Sequence, residues 1–422
     1  MTHTYTNKNK QTLPSEESII SYLCENTNFL IENRSLLKEI MIPHLLGSNM
    51  SSLIERQVAI LREENSKLKD NLEKYKNISN QKSILRKNIF NFFIESSSVE
   101  NFVEYTRLVH SFFDRYFDVS YIRVYMFDNK TVNKKNMRSD IEKILSEINQ
   151  SMSTYIEKSE LSKINYSKSL DWHTLSDDLF TVIEHANNIS KKTNGAFDIT
   201  IGPLVNLWGF GPNKSENKIP STESIELVKK DIGYRKILLN KSQKKISKLV
   251  PDLYLDLSGI AKGFAVDKIA RHLEKKNLEN YLIEIGGELL ANGINNDKMI
   301  WQIGIENPDG RDKQVKRIIQ LKNMAMATSG DYKNYFEENG VRYSHTIDPV
   351  TGKPIKHKLV SVTVLDNTAL NADALATAFM VMGPEKTLSL ASDLKVAVYL
   401  IIKNGQIFEE RYNDYFAPFI LN

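Results

Sequence analysis

Tyr254-Leu255-Asp256-Leu257-Ser258-Gly259-Ile260-Ala261-Lys262-Gly263 is the stretch whose reading sets the architecture. Apolar residues alternate up to Leu257, Ser-Gly breaks the pattern, and Ala-Lys-Gly resumes it. This reads as a strand, a tight turn and the start of a helix. Such a connection presents main-chain N–H groups, a positive helix end and Lys262 to an anion. By itself the signal is weak, because an efficient strand-to-helix connection carries the same residues. From Met137 onward, helix and strand patterns alternate between glycine-rich turns, which is an α/β or α+β layout.

Three neighbouring runs share this character. Gly195-Ala196-Phe197-Asp198-Ile199-Thr200-Ile201-Gly202-Pro203, continuing to Gly211, ends one helix and opens a strand or turn. Taken alone it is an apolar layer with turn glycines. Tyr281 to Glu288 is a strand entering a Gly-Gly turn, where the backbone has room to approach another segment. Ala327-Thr328-Ser329-Gly330-Asp331-Tyr332 reads as a polar turn after an apolar strand.

Chemistry is concentrated further on. Tyr343-Ser344-His345-Thr346-Ile347-Asp348-Pro349 places an imidazole and a carboxylate three residues apart before a proline-containing turn. Asn371-Ala372-Asp373-Ala374-Leu375-Ala376-Thr377 puts Asp373 and Thr377 at i and i+4, on one face of a helix. A carboxylate beside a hydroxyl is a hard-oxygen pair suited to Mg²⁺. An imidazole near such an ion suits a general base in phosphoryl chemistry. A lone histidine is by default structural, and only its place in a motif argues otherwise.

Composition sets the outer bounds. A chain of 422 residues exceeds one typical core, so two domains are expected. A formal charge of +4, with 56 basic against 52 acidic side chains, gives no reason to expect a nucleic-acid partner. The single cysteine, Cys24, excludes an intrachain disulfide and reads as a small buried hydrophobe in a helix. Met1 to Glu17 is polar, without the apolar core of a signal peptide, and no run is long enough to span a membrane. A cytoplasmic location is therefore expected.

The N-terminal third is organised differently. Residues 1–14 read as a disordered tail and 15–127 as a helical and coiled-coil region, with short helices expected around Ser18–Leu23 and Arg34–Ile40. Ile54, Val58, Leu61, Asn65, Leu68, Leu72 and Tyr75 are spaced by fours and threes, which is a heptad seam. Asn65 falls at an a position, where a buried amide favours a parallel two-stranded register. A homodimer through residues 54–75 is expected; a long amphipathic helix packed on its own domain is the plainer alternative. Ser120 to Phe127 reads as a strand. This region, with Ser52-Leu53-Ile54-Glu55-Arg56-Gln57-Val58 at its centre, resembles an uncharacterised bacterial family. That family has a helical head, a coiled coil and then a GAF-like domain, here cut off at about its first strand. A truncated sensor fold points to assembly rather than sensing.

From residue 128 to 422 the order of the runs is more telling than any one of them. Met152-Ser153-Thr154-Tyr155, Gly195 to Gly211, Asp256 to Gly263, Ile285-Gly286-Gly287, Thr328-Ser329-Gly330, Ser344 to Pro349 and Ala372 to Thr377 closely resemble the FAD:protein FMN transferase (ApbE-like flavin transferase) family. The resemblance implies an α+β fold. It implies Mg²⁺-dependent transfer of FMN from FAD to a Ser or Thr hydroxyl of another protein, with AMP leaving. His345 would be the base. Asp373, Thr377 and the carbonyl of Gly259 would hold Mg²⁺. Tyr155, Ala196, Phe197, Asp198, Asp256, Lys262 and Ile347 would contact FAD, with Phe197 and Tyr155 packing on its rings. The acceptors it points to are flavoprotein subunits of ion-pumping quinone reductases or Rnf-type complexes.

There are two departures. The family opens with a strand carrying a Met-Gly-Thr-type motif, whereas Val119 to Phe127 lacks it, so the strand either substitutes structurally or leaves part of the cofactor wall missing. Most members are exported, often behind a lipobox, which is not seen here. Two other readings remain: an FAD pyrophosphatase, in which water replaces the acceptor hydroxyl, and a non-catalytic FAD-binding scaffold.

Overall fold

The computed structural model describes residues 15–26, 28–29, 33, 64–65, 122–126, 134–210, 219–308, 315–330, 335–338, 341–405 and 407–421. Chain contacts divide it into two units, Met1–Phe112 and Phe113–Asn422. In the first, the helix Glu16–Glu25 forms where the Ser18–Leu23 pattern predicts it. Ser15 caps it by accepting from the Ser18 N–H. Cys24 lies on this helix but is exposed, so the expected buried position is corrected. Ile19, Ile20, Tyr22 and Leu23 are also exposed, which leaves this helix no apolar face to place Cys24 against. Of the heptad seam, only Asn65 is among the described residues; it is helical and exposed. The tail at 1–14, the helix expected at Arg34–Ile40 and the rest of the seam lie outside them.

The second unit is built on one seven-stranded sheet. Its strands are Ile122–Met126, Tyr281–Ile285, Glu288–Asn292, Met324–Gly330, Leu359–Asp366, Ala397–Asn404 and Ile407–Tyr412. They pair in that order, every pair antiparallel, so the sheet follows the chain with segments inserted between strands. Segregated helices on an antiparallel sheet make this an α+β fold. The first strand pairs Ile122 with Ile285 and Met126 with Tyr281. The segment that lacks the Met-Gly-Thr motif therefore still supplies the edge strand. It belongs to this unit, although it precedes the boundary expected at residue 128.

Strand alternation gives the sheet two cores. Val398, Leu400 and Ile402 face a large cluster shared with the helices. Ala397, Tyr399 and Ile401 face a smaller one, closed by Phe416 and the hairpin of Trp301–Glu306 with Val315–Leu321. Two helices matter most on the large side, Ala261–Lys275 and Ala369–Met382. The second is apolar nearly all round, as a helix buried on most sides must be, and Asp373 is buried within it.

Two local expectations are corrected. Leu253 to Ser258 forms no strand. The main chain of Leu255 is instead bound by the Asn165 side chain, which donates to its carbonyl at 2.9 Å and accepts from its N–H at 2.7 Å. Thr328-Ser329-Gly330 is not a turn, because the strand runs through Gly330 and Thr328 shares a 2.9 Å hydrogen bond with Thr363 on the next strand.

Candidate active site

The helix Ala261–Lys275 begins where the sequence places it, directly after the Ser258-Gly259 turn. Its first turn does meet an anion, but the anion is the protein's own: the Gly263 N–H donates to Asp373 Oδ2 at 2.9 Å. A β-carbon on Gly263 would lie 2.2 Å from the Ala369 carbonyl oxygen and 2.9 Å from Asp373 Cβ. Only glycine lets the two helices come this close. Asp267, one turn further along, accepts from the N–H groups of Ala369 at 2.8 Å and Leu370 at 3.0 Å. It thereby satisfies two orphan donors of the second helix. No motif pointed to Asp267, because a helical Asp in mid-sequence carries no sign of what it will cap.

This crossing assembles the oxygen set. A β-carbon on Gly259 would lie 3.1 Å from Thr377 Oγ1 and 3.4 Å from Phe197 Cε2, so these three residues adjoin. Asp373 sits one turn below Thr377, 3% exposed. Lys262 Nζ meets Glu288 Oε1 at 2.5 Å. Burial works against the charge on Lys262, yet the carboxylates of Glu288 and Asp373 outweigh it and raise its pKa. Burial also raises Asp373, opposed by Lys262 and by the Gly263 N–H. Burial and then the Asp373 charge push Glu288 up to about 8. Glu288 was missed from the sequence, where it is only the residue after a Gly-Gly turn. That turn joins two adjacent antiparallel strands with φ of +59° at Gly286 and +99° at Gly287, the left-handed pair a tight hairpin needs. A β-carbon on Gly287 would meet nothing within 4 Å, so backbone conformation rather than a close approach calls for glycine there.

The remaining expected residues divide. Asp256 is half-exposed; its N–H donates to the Ile199 carbonyl at 2.7 Å and its Oδ1 accepts from Ser258 N–H at 2.9 Å. Tyr254, beside it, packs on Gly202. Tyr155 is 79% exposed and free to cover a ligand ring. Phe197 is 3% exposed and part of the main core, with its edge against Gly259. Ala196 beside it is half-buried. Asp198 is buried, with Oδ1 accepting from the Thr200 N–H at 2.8 Å and hydroxyl at 2.7 Å, and Oδ2 from the Tyr234 N–H at 2.8 Å. These bonds brace two turns against each other. Ile347 packs in a small core with Leu204, Trp208, Ile225 and Ile232.

His345 occupies the bend between the strands Val341–Ser344 and Ile347–Asp348. Phe210 meets its ring edge-on at 6.3 Å, and Trp208 stacks on Tyr343 at 5.8 Å. Trp208 Nε1 donates to the Gly352 carbonyl at 2.9 Å. The apolar end of the Gly195–Gly211 run is thus what fixes the histidine loop. A separate open cleft of about 380 Å³, lined by Asn194, Gly195, Asp198, 233–236, Pro349 and Val350, contains none of His345, Asp256, Lys262 or Asp373.

The model of the ApbE family matches residues 115–400. The chain belongs to the ApbE family. An FAD:protein FMN transferase of Vibrio cholerae is 43% identical over 288 residues, 68% of this chain and 86% of that protein. One from Haemophilus influenzae is 44% identical over 290 residues, 68% of this chain and 84% of that protein. Among solved structures, the flavin transferase ApbE from Vibrio cholerae superposes with a TM-score of 0.66 at 39% identity, over 71% of this chain and 98% of that one. The apo flavinyl transferase ApbE of Pseudomonas stutzeri gives 0.65 at 34% identity, over 71% of this chain and 97% of that one. The ApbE match starts before the edge strand Ile122–Met126, in keeping with that strand's place in the sheet. A family of unknown function, DUF484, matches residues 9–163 and so overlaps the ApbE match from 115 to 163.

Proposed function

We propose that this ApbE-family chain transfers FMN from FAD to a Ser or Thr hydroxyl of an acceptor protein. The observation that carries the chemistry is the helix crossing that brings the Gly259 turn, Thr377, Asp373 and Lys262 together. Apart from Lys262, their donor atoms are all oxygen, with one buried carboxylate and one neutral hydroxyl, which fits a hard divalent cation. Asp373, Thr377 and the Gly259 carbonyl would hold Mg²⁺, which when bound supplies charge neutralisation at the diphosphate.

The chain's own residues do the rest. Lys262, kept charged by Glu288 and Asp373, offers its ammonium to the FAD diphosphate. Asp256 and the exposed Tyr155 ring line the approach to it. His345 takes the proton from the acceptor hydroxyl as its oxygen bonds to the FMN phosphorus. The bond from that phosphorus to the bridging oxygen breaks, and AMP departs with the oxygen. Loss of the Met-Gly-Thr motif does not remove the edge strand, so the sheet behind the site is intact on that side.

The test is incubation with FAD, Mg²⁺ and a candidate acceptor subunit of the quinone-reductase or Rnf type, read by in-gel flavin fluorescence and AMP release. Fluorescent acceptor with equimolar AMP is expected. Free FMN with no labelled acceptor would show hydrolysis instead, and neither product would leave a binding scaffold.

A further inference from the structure

Glu288 is the buried charge that the reaction above does not use. It opens the strand Glu288–Asn292 and is 2% exposed. Oε1 is engaged by Lys262, but Oε2 is buried with no hydrogen-bond partner. Leaving one oxygen of a buried carboxylate unpaired is costly, and a group kept only as a strut for Lys262 would not need that exposure to cost. The Asp373 charge acts on the same carboxylate unfavourably. Glu288 and Asp373 both act electrostatically on Lys262, and the unpaired Glu288 oxygen among these groups is one that a hard cation would satisfy.

We propose that Glu288 Oε2 is an additional oxygen ligand of the divalent cation, alongside Asp373 and Thr377. This rests on the reading of Asp373 as a metal ligand. Through Oε1 the same carboxylate holds Lys262, so one residue links the cation to the ammonium that faces the diphosphate. Its two oxygens therefore serve different ligands, Oε2 the cation and Oε1, through Lys262, the diphosphate.

That division is the test, with full-length protein and Mn²⁺ as the probe. Mn²⁺ affinity is measured by electron paramagnetic resonance of the free ion, and FAD affinity by fluorescence quenching in EDTA. Glu288→Gln keeps shape and a hydrogen-bonding oxygen but removes the charge. It should weaken Mn²⁺ binding about tenfold or more, the scale expected when a ligand or its immediate support is lost. Metal-free FAD binding should change much less than Mn²⁺ binding, because the amide oxygen can still accept from Lys262. If Glu288→Gln fails to fold, Glu288→Asp, which keeps the charge on a shorter stem, should weaken Mn²⁺ binding more than metal-free FAD binding. Unchanged Mn²⁺ affinity overturns the proposal, as does parallel weakening of Mn²⁺ and FAD with a lower Tm, the mark of a strut. Asp373→Asn separates the two readings. Mn²⁺ binding lost there but kept in Glu288→Gln overturns this inference alone, whereas binding kept in both overturns the metal reading of the site as well.

Discussion

The Gly263 N–H donates to the Asp373 carboxylate at 2.9 Å, across a helix crossing with no room for a β-carbon. One contact thus joins the expected phosphate-binding turn to the expected metal ligand, which lies 110 positions later in the sequence.

Gly263→Ala should be among the most damaging single changes in the second unit. The added methyl meets a main-chain carbonyl that cannot rotate away, so the helices must separate. A loss of about 3 kcal/mol is expected, at the upper end of overpacking effects. Urea unfolding followed by circular dichroism measures it, and a change under half a kcal/mol would contradict the packing described.

Asp373→Ala and Thr377→Ala should each abolish turnover at physiological Mg²⁺. Excess Mg²⁺ should partly restore Thr377→Ala, whose lost ligand is a neutral hydroxyl, but not Asp373→Ala. Flavin transfer titrated against Mg²⁺ decides it. Full activity of Asp373→Ala in EDTA would remove Asp373 from the metal site.

His345→Ala should slow transfer by roughly 10²- to 10⁴-fold, the usual scale for a positioned base. FAD affinity should change little, because the residues assigned to ground-state binding are Asp256, Lys262 and Tyr155. Binding and rate are measured on the same protein. Loss of FAD binding in step with activity would mark a structural histidine.

Asn165→Ala removes both side-chain bonds to the Leu255 main chain, one residue before Asp256. Two buried main-chain groups lose their partners, at a cost of about 2 kcal/mol or more. FAD affinity should fall with stability, and Asn165→Asp, which keeps only the acceptor, should fall between. Wild-type FAD affinity in Asn165→Ala would show that Asp256 is positioned without it.

Asn65→Ile should raise thermal stability while loosening the choice of oligomer, if residues 54–75 form a parallel pair with Asn65 in its seam. Light scattering of the intact protein at tens of micromolar should give a dimer mass. A monomer mass would reject the seam.

Local patterns carried much of this protein. The i, i+4 spacing of Asp373 and Thr377 places both on one helix, and Ser-Gly followed by Ala-Lys-Gly marks where another helix begins. Apolar runs give the sheet strands Ile122–Met126 and Tyr281–Ile285, the first without its expected motif. These depend only on near neighbours, so periodicity and turn chemistry suffice to show them.

What a side chain faces was decided only by packing between distant segments. Phe197 and Ile347 share the motif types of ligand contacts but lie in cores, because sheet and helices close around them. Asp198 spends its oxygens on turns 2 and 36 positions away. The Leu253–Ser258 segment lost its strand to Asn165, 90 positions earlier. Glu288 became a buried charge because the hairpin turn sets it against Lys262 on the helix, 26 positions back. A buried charge or an apolar contact is fixed by its surroundings in three dimensions, and no local pattern encodes which distant residues supply them.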